Sequence, residues 1–125
     1  MRELTGHRVN PANDRLTVVA LDGPGAGGAS HEYSIGGYTQ PHENGVIGDT
    51  LIRFQNGPIA TAGVNGVTHE ALLAIVIDRL EAFQGGPFAN EYNAAALAHL
   101  QSAQSCLLDR TRERMARGVE GTHER

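Results

Sequence analysis

The sequence predicts an α+β fold, a small N-terminal antiparallel β-sheet followed by a C-terminal antiparallel two-helix hairpin. Three observations carry that expectation. Residues 15–65 are rich in glycine and turn signals and hold only short β-type runs. Asn56-Gly57, the dipeptide that most readily supplies the positive φ angles of a tight turn, sits between two of those runs. From Thr68 onward the apolar residues switch to helical spacing.

In chain order, strands are expected at Arg15–Leu21, His31–Ile35, Thr50–Gln55 and Pro58–Gly63, the last two joined as a hairpin by Asn56-Gly57. Loops are expected over Asp22–Gly28 and from Gly36-Gly37 to Gly48, the latter containing Pro41 and Asn44. Helix one is expected over 68–84, with Thr68 as its N-cap and Glu70 in the first turn, where the helix dipole favours a carboxylate. Leu72, Leu73, Ile75, Val76, Ile77, Leu80 and Phe83 form its apolar stripe, and Gly85-Gly86-Pro87 stops it. That stripe is wide enough to predict burial on more than one side, between the sheet and the second helix. Helix two is expected over 90–117, capped by Asn90 and ended by Gly118, with residues 118–125 as a tail. Its seam reads Ala96, Leu97, Leu100, Ala103 and Leu107, and the same register continues onto Arg110 and Arg114. Two readings of that arginine end stay open. Either the stripe has reached an exposed helix end where arginines snorkel and suit the dipole, or the packed surface opens into an anion pocket.

With 125 residues the chain has room for one core and is read as a single domain over 1–125. It is 40% hydrophobic, as folded chains are, yet has no tryptophan and three each of Phe and Tyr. A core this thin in aromatics gains from oligomerisation, so a homo-oligomer is expected. The formal charge is −4, which argues against non-specific nucleic-acid binding. Every basic residue apart from histidine is an arginine. That fits a GC-rich genome, and it also suits bidentate contacts to phosphate. Cys106 stands alone in helix two and reads as a small core residue. Met1 to Asp14 lacks the apolar run of a signal peptide, and no stretch reaches membrane-spanning length, so the cytoplasm is the expected compartment.

The residues do not assemble into a recognised catalytic pattern. His7, His31, His42, His69, His99 and His123 are scattered and form no HExxH or comparable pair, so no metal site is expected. The glycines between Gly23 and Gly48 do not spell a phosphate loop, because GxxxxGK[ST] needs a lysine and GxGxxG does not follow the first strand. Neither a GxSxG elbow nor a Cys–His pairing supplies a nucleophile. The residues therefore give little sign of catalysis, and no cofactor is expected.

A set of matched segments then points to a family. They are Asn65 to Glu70, Leu72 to Leu80, Phe83 to Ala89, Glu91 with Asn93 to Leu97, and Asp109 to Thr111 with Arg114 and the run Arg117 to His123. Together they resemble the phage anti-Thoeris sponge family (Thoeris anti-defence protein one), which shares a helical-hairpin domain with the anti-CBASS cyclic-nucleotide sponge. The sheet-like first half is similar to the anti-Thoeris branch. Asn90-Glu91-Tyr92 departs from the Cys-Arg-Glu that the resemblance leads one to expect there.

The resemblance implies a sponge that sequesters a cyclic ADP-ribose isomer, and in some relatives CBASS cyclic di- and trinucleotides, without cleaving it. It places adenine stacking on Phe83, a polar contact on Asn93, and pyrophosphate binding on Arg110 and Arg114. Arg53 is a further ligand candidate, and Arg117, Thr122 and His123 are candidates for a trinucleotide site. It also implies a dimer, or a hexamer built as a trimer of dimers. Spacing adds a constraint once the site is assumed. Asn93 and Arg110 are seventeen positions apart on one helix, about 25 Å at roughly 1.5 Å per residue. No compact ligand spans that, so the site is expected where helix two of one copy runs antiparallel to that of another. The competing readings are an oligomerisation or interaction module with no nucleotide ligand, a nucleotide hydrolase, and a nucleic-acid binder.

Overall fold

A computed structural model describes residues 1–41 and 44–125; His42 lies outside the described residues. It is an α+β arrangement. A four-stranded antiparallel sheet is built from β1 (Arg2–Leu4), β2 (Thr17–Ala20), β3 (Glu32–Thr39) and β4 (Ile47–Arg53), in that spatial order. Two four-residue helical turns, α1 (Pro11–Asp14) and α2 (Ile59–Ala62), precede the long helices α3 (His69–Gln84) and α4 (Glu91–Ala116). The chain falls into two compact units. The first holds Met1–Gly57 with Val64–Gly66, and the second holds Pro58–Gly63 with Val67–Arg125.

In the first unit each strand pairs with the next as a meander. Thr17 faces Gly36 and Ala20 faces Tyr33 across β2 and β3, and Glu32 faces Arg53 across β3 and β4. Ala20 is fully buried at its centre. Tyr33 and Phe54 meet edge to face with centroids 5.7 Å apart.

Several expectations need correction here. β1 forms in a stretch that carries no strand signal, because Arg2–Leu4 is recruited by pairing with Val18–Ala20. The loop expected between Gly36 and Gly48 is strand at both ends, since β3 runs through Gly36 and Gly37 to Thr39 with a register shift between Gly36 and Tyr38. Gly37 is the extra residue there. It takes φ +88, and a Cβ on it would lie 2.0 Å from the Arg15 carbonyl oxygen, so only glycine fits this bulge.

Pro58–Gly63 is not a strand. Pro58 enters with φ −67 and starts the turn of α2, so Asn56-Gly57 closes no hairpin although Gly57 does take a positive φ of 86. The Asn65 side chain substitutes for the missing strand. Its Oδ1 accepts the Asn56 N–H and its Nδ2 donates to the Asn56 carbonyl, both at 2.8 Å.

In the second unit α3 and α4 form the antiparallel hairpin. Thr68 caps α3 by accepting the Ala71 N–H, and Asn90 caps α4 by accepting the Asn93 N–H at 2.8 Å. Residues at alternating spacings of three and four are withdrawn from solvent on each helix. On α3 they include Leu73, Ile77 and Leu80, and on α4 Leu97, Leu100, Gln104, Leu107 and Thr111. Gln104 replaces the expected Ala103 in this seam and donates from Nε2 to the Glu70 carbonyl at 3.4 Å. Cys106 falls off the seam and is exposed, correcting its reading as a core residue. Ile75 is 60% and Val76 44% exposed, because the seam with α4 uses only one face of the helix.

Candidate functional site

The hairpin has two chemically distinct ends. At the turn end, Phe83 lies in the last turn of α3 with 40% of its surface exposed. The guanidinium of Arg79, one turn earlier, lies over its ring at 5.5 Å from the centroid. The turn itself is held by a reciprocal pair. Gln84 Nε2 donates to the Asn90 carbonyl and the Asn90 N–H donates to Gln84 Oε1, both at 3.1 Å. Asn90 Oδ1 then takes the Asn93 N–H, so the end of α3 and the start of α4 are locked to each other. Phe83 and Asn93 therefore belong to the same end of the hairpin.

At the other end the two arginines separate. Arg110 is exposed. Arg114, which continues the seam, is 5% exposed and fully engaged by the chain's own tail. Its Nε donates to Glu120 Oε2 at 3.0 Å, and Nη2 donates to the Val119 and Thr122 carbonyls at 2.9 and 3.1 Å. Nη1 donates to the Glu124 carbonyl. At its last position the seam thus ends in a buried clasp: residues 119–124 fold around Arg114. The Ala60 N–H donates to the Gly121 carbonyl at 3.0 Å and fastens the tail to α2.

Arg117 pairs with Glu113 one turn back on α4. Thr122 lends its carbonyl to Arg114, and its hydroxyl donates to the Val119 carbonyl. His123 is exposed. Arg53 belongs to the first unit, where it pairs with Glu32 at 3.3 Å. One chain therefore places Phe83 and Asn93 at the same end of the hairpin and joins Arg114 to Thr122, but α4 separates these two groups along its length. Its 26 residues extend about 39 Å at roughly 1.5 Å per residue.

Three side chains that shape these ends were not singled out by sequence. Arg79 could have been found, since it precedes Phe83 by four positions on a helix. Gln84 and Glu120 could not, because their partners are set by a turn and a tail that carry no periodic signal.

The first unit contains a cavity of about 480 Å3, lined among others by Arg2, Asp22, Ser30 and Tyr33. The backbone N–H of Glu32, and after it that of His31, donate to the Asp22 carboxylate at 3.0 Å. These bonds hold its carboxyl below the usual carboxylate range against a smaller opposing effect of burial. None of the residues singled out from sequence as ligand contacts lines this cavity. Among the described residues no group of three His, Cys, Asp or Glu is placed to hold a metal ion. Among them, too, no helix is long and apolar enough to cross a membrane.

The family match falls on the hairpin and the strand before it. Residues 48–107 match the family model described as the Acb2/Tad1 hairpin domain. A 74-residue stretch is 49% identical to Thoeris anti-defense 1 of Bacillus phage SBSphiJ7, covering 59% of this chain and 52% of that protein. The chain spans about half the length of the curated relative it matches. The resemblance to this family is thus borne out; the family model reaches back into β4 and ends at residue 107, before the Asp109–His123 run.

Proposed function

With residues 48–107 of this chain identified as an Acb2/Tad1 hairpin domain, we propose that it is a phage counter-defence sponge that sequesters a cyclic ADP-ribose isomer without cleaving it. That family match is the observation that carries the reading. Its setting would be the cytoplasm of an infected bacterium, where the immune signal is made.

The geometry supports a site divided between two copies. Phe83 offers an exposed aromatic face for adenine, and Asn93 stands at the same end of the hairpin. Arg110 is an exposed cation at the opposite end, suited to a bidentate grip on pyrophosphate. Antiparallel packing of α4 on a second α4 brings Arg110 of one copy to Phe83 and Asn93 of the other. Val76, left open in the single chain, is apolar surface that such an oligomer can cover. Arg114 reaches the ligand only if the tail releases it, so Arg110 makes the first phosphate contact. Arg117, Thr122 and His123 are proposed for a separate cyclic-trinucleotide site, and Arg53 for an additional ligand contact. The open face of α3 also supports a second reading, an oligomerisation module with no nucleotide ligand.

The test is uptake followed by release. Wild-type protein is incubated with a cyclic ADP-ribose isomer, the free nucleotide is removed, and the protein is heated. Recovery of the intact isomer supports the sponge. Recovery of a cleaved product makes the protein a hydrolase, and no uptake leaves the oligomerisation module. Phe83→Ala and Arg110→Ala are expected to abolish uptake while native mass spectrometry still finds the oligomer.

A further inference from the structure

Arg79 differs from the arginines that carry ion pairs. Arg8, Arg53, Arg112, Arg114 and Arg117 each sit against a carboxylate. On a helix, a side chain's neighbours are the residues three and four positions away. For Arg79 these are Ile75, Val76, Ala82 and Phe83, none of them acidic. What it has instead is the Phe83 ring, 5.5 Å from its guanidinium carbon. Ile75, Arg79 and Phe83 follow one another at four-residue intervals and are all exposed. A cation is thus embedded in an open apolar row, on a chain whose net charge is −4.

We infer that Arg79 is a ligand-positioning residue of the Phe83 platform, suited to a planar base that carries phosphate. The inference rests on the reading of Phe83 as a stacking surface. With the guanidinium on one face of the ring, the opposite face is the one left for a base, so the platform accepts a single base from a defined side. A guanidinium held over the ring still has N–H groups able to donate to a phosphate or to an acceptor on the base. Resting on the ring also restricts the arginine before the ligand arrives, which lowers the ordering cost of the contact. Charge complementarity selects this occupant over a purely apolar one: covering the row with hydrocarbon would bury Arg79 without a counter-charge, which is costly.

The test uses the full chain as wild type, Arg79→Gln, Arg79→Lys and Phe83→Ala, with a cyclic ADP-ribose isomer as probe in calorimetric titrations at two salt concentrations. Arg79 is exposed and glutamine is a good helix former, so helicity and subunit mass should stay at wild-type values. Arg79→Gln should bind about tenfold more weakly, the scale of one partly desolvated cation–π and phosphate contact. Its affinity should also depend less on salt, which a merely structural role would not produce. Arg79→Lys should fall between the two, keeping the charge and losing the fork. If Arg79→Gln keeps wild-type affinity and salt dependence while Phe83→Ala fails to bind, the inference is overturned and the sponge reading stands. If Arg79→Gln changes subunit mass with affinity unchanged, the row is a subunit contact and the inference is overturned. If wild type does not bind the probe, the sponge reading fails and this inference with it.

Discussion

Arg114 offers the sharpest test of how the tail is organised. Replacing it with methionine keeps most of its bulk in the seam but removes every donor to Glu120, Val119, Thr122 and Glu124. A hydrogen bond from a charged donor contributes roughly 1.5–3 kcal/mol net, and breaking a buried ion pair costs about 3–5 kcal/mol when the abandoned partner stays buried. Glu120 retains 35% of its side-chain exposure and the tail can swing into water, so its carboxylate and the carbonyls rehydrate. That places the loss near the bottom of the range, at about 3 kcal/mol. It falls on the tail, because the hairpin seam of Ile77, Leu97, Leu100 and Leu107 keeps its partners.

The assay is amide hydrogen exchange read by mass spectrometry. In Arg114→Met the segment after Gly118 should exchange about a hundredfold faster, as 3 kcal/mol implies, while peptides from α3 keep wild-type rates. Glu120→Gln keeps the carbonyl contacts and should accelerate tail exchange only about tenfold. Unchanged tail exchange in Arg114→Met would refute the clasp. Acceleration spread evenly over both helices would show that Arg114 supports the hairpin as a whole. If the ligand does recruit Arg114, adding it to wild type should loosen the tail in the same way.

Two further outcomes are expected in the first unit. Gly37→Ala should lower stability by more than about 2 kcal/mol, since it combines a positive φ with a Cβ driven into the Arg15 carbonyl; a melting temperature at the wild-type value would show that the bulge rearranges freely. Asp22 titrates below the unfolded value of about 3.9, so its stabilising effect is complete above that pH and is lost as pH falls through the folded value. Exchange protection at the His31 and Glu32 amides should therefore collapse in that acidic window, and Asp22→Asn should remove the pH dependence.

The parts of the fold that local rules govern were legible. Thr68 and Asn90 cap the helices because each is a short polar acceptor placed just before an apolar periodic run, and Gly118 follows the end of α4. The α+β division follows from the same change of period at residue 68. What the sequence misplaced depends on partners distant along the chain. Nothing in Arg2–Leu4 announces a strand until Val18–Ala20 is there to pair with it. Pro58–Gly63 reads as a strand only while its neighbour is assumed to be β4; Asn65 takes the backbone groups of Asn56, and the segment coils instead.

The same divide runs through the candidate site. Helix periodicity, a local property, put Phe83 in the apolar stripe of the first helix and ran the seam of the second into arginines, while the ligand roles of Phe83 and Asn93 came from the family resemblance. Only the tertiary structure decided that Arg110 and Arg114 have different surroundings. One stays in solvent, and the other is buried under the tail because Glu120 and three carbonyls return to meet it. A guanidinium has the same sequence signature in either setting, and what distinguishes them is which acceptors the folded chain brings back to it.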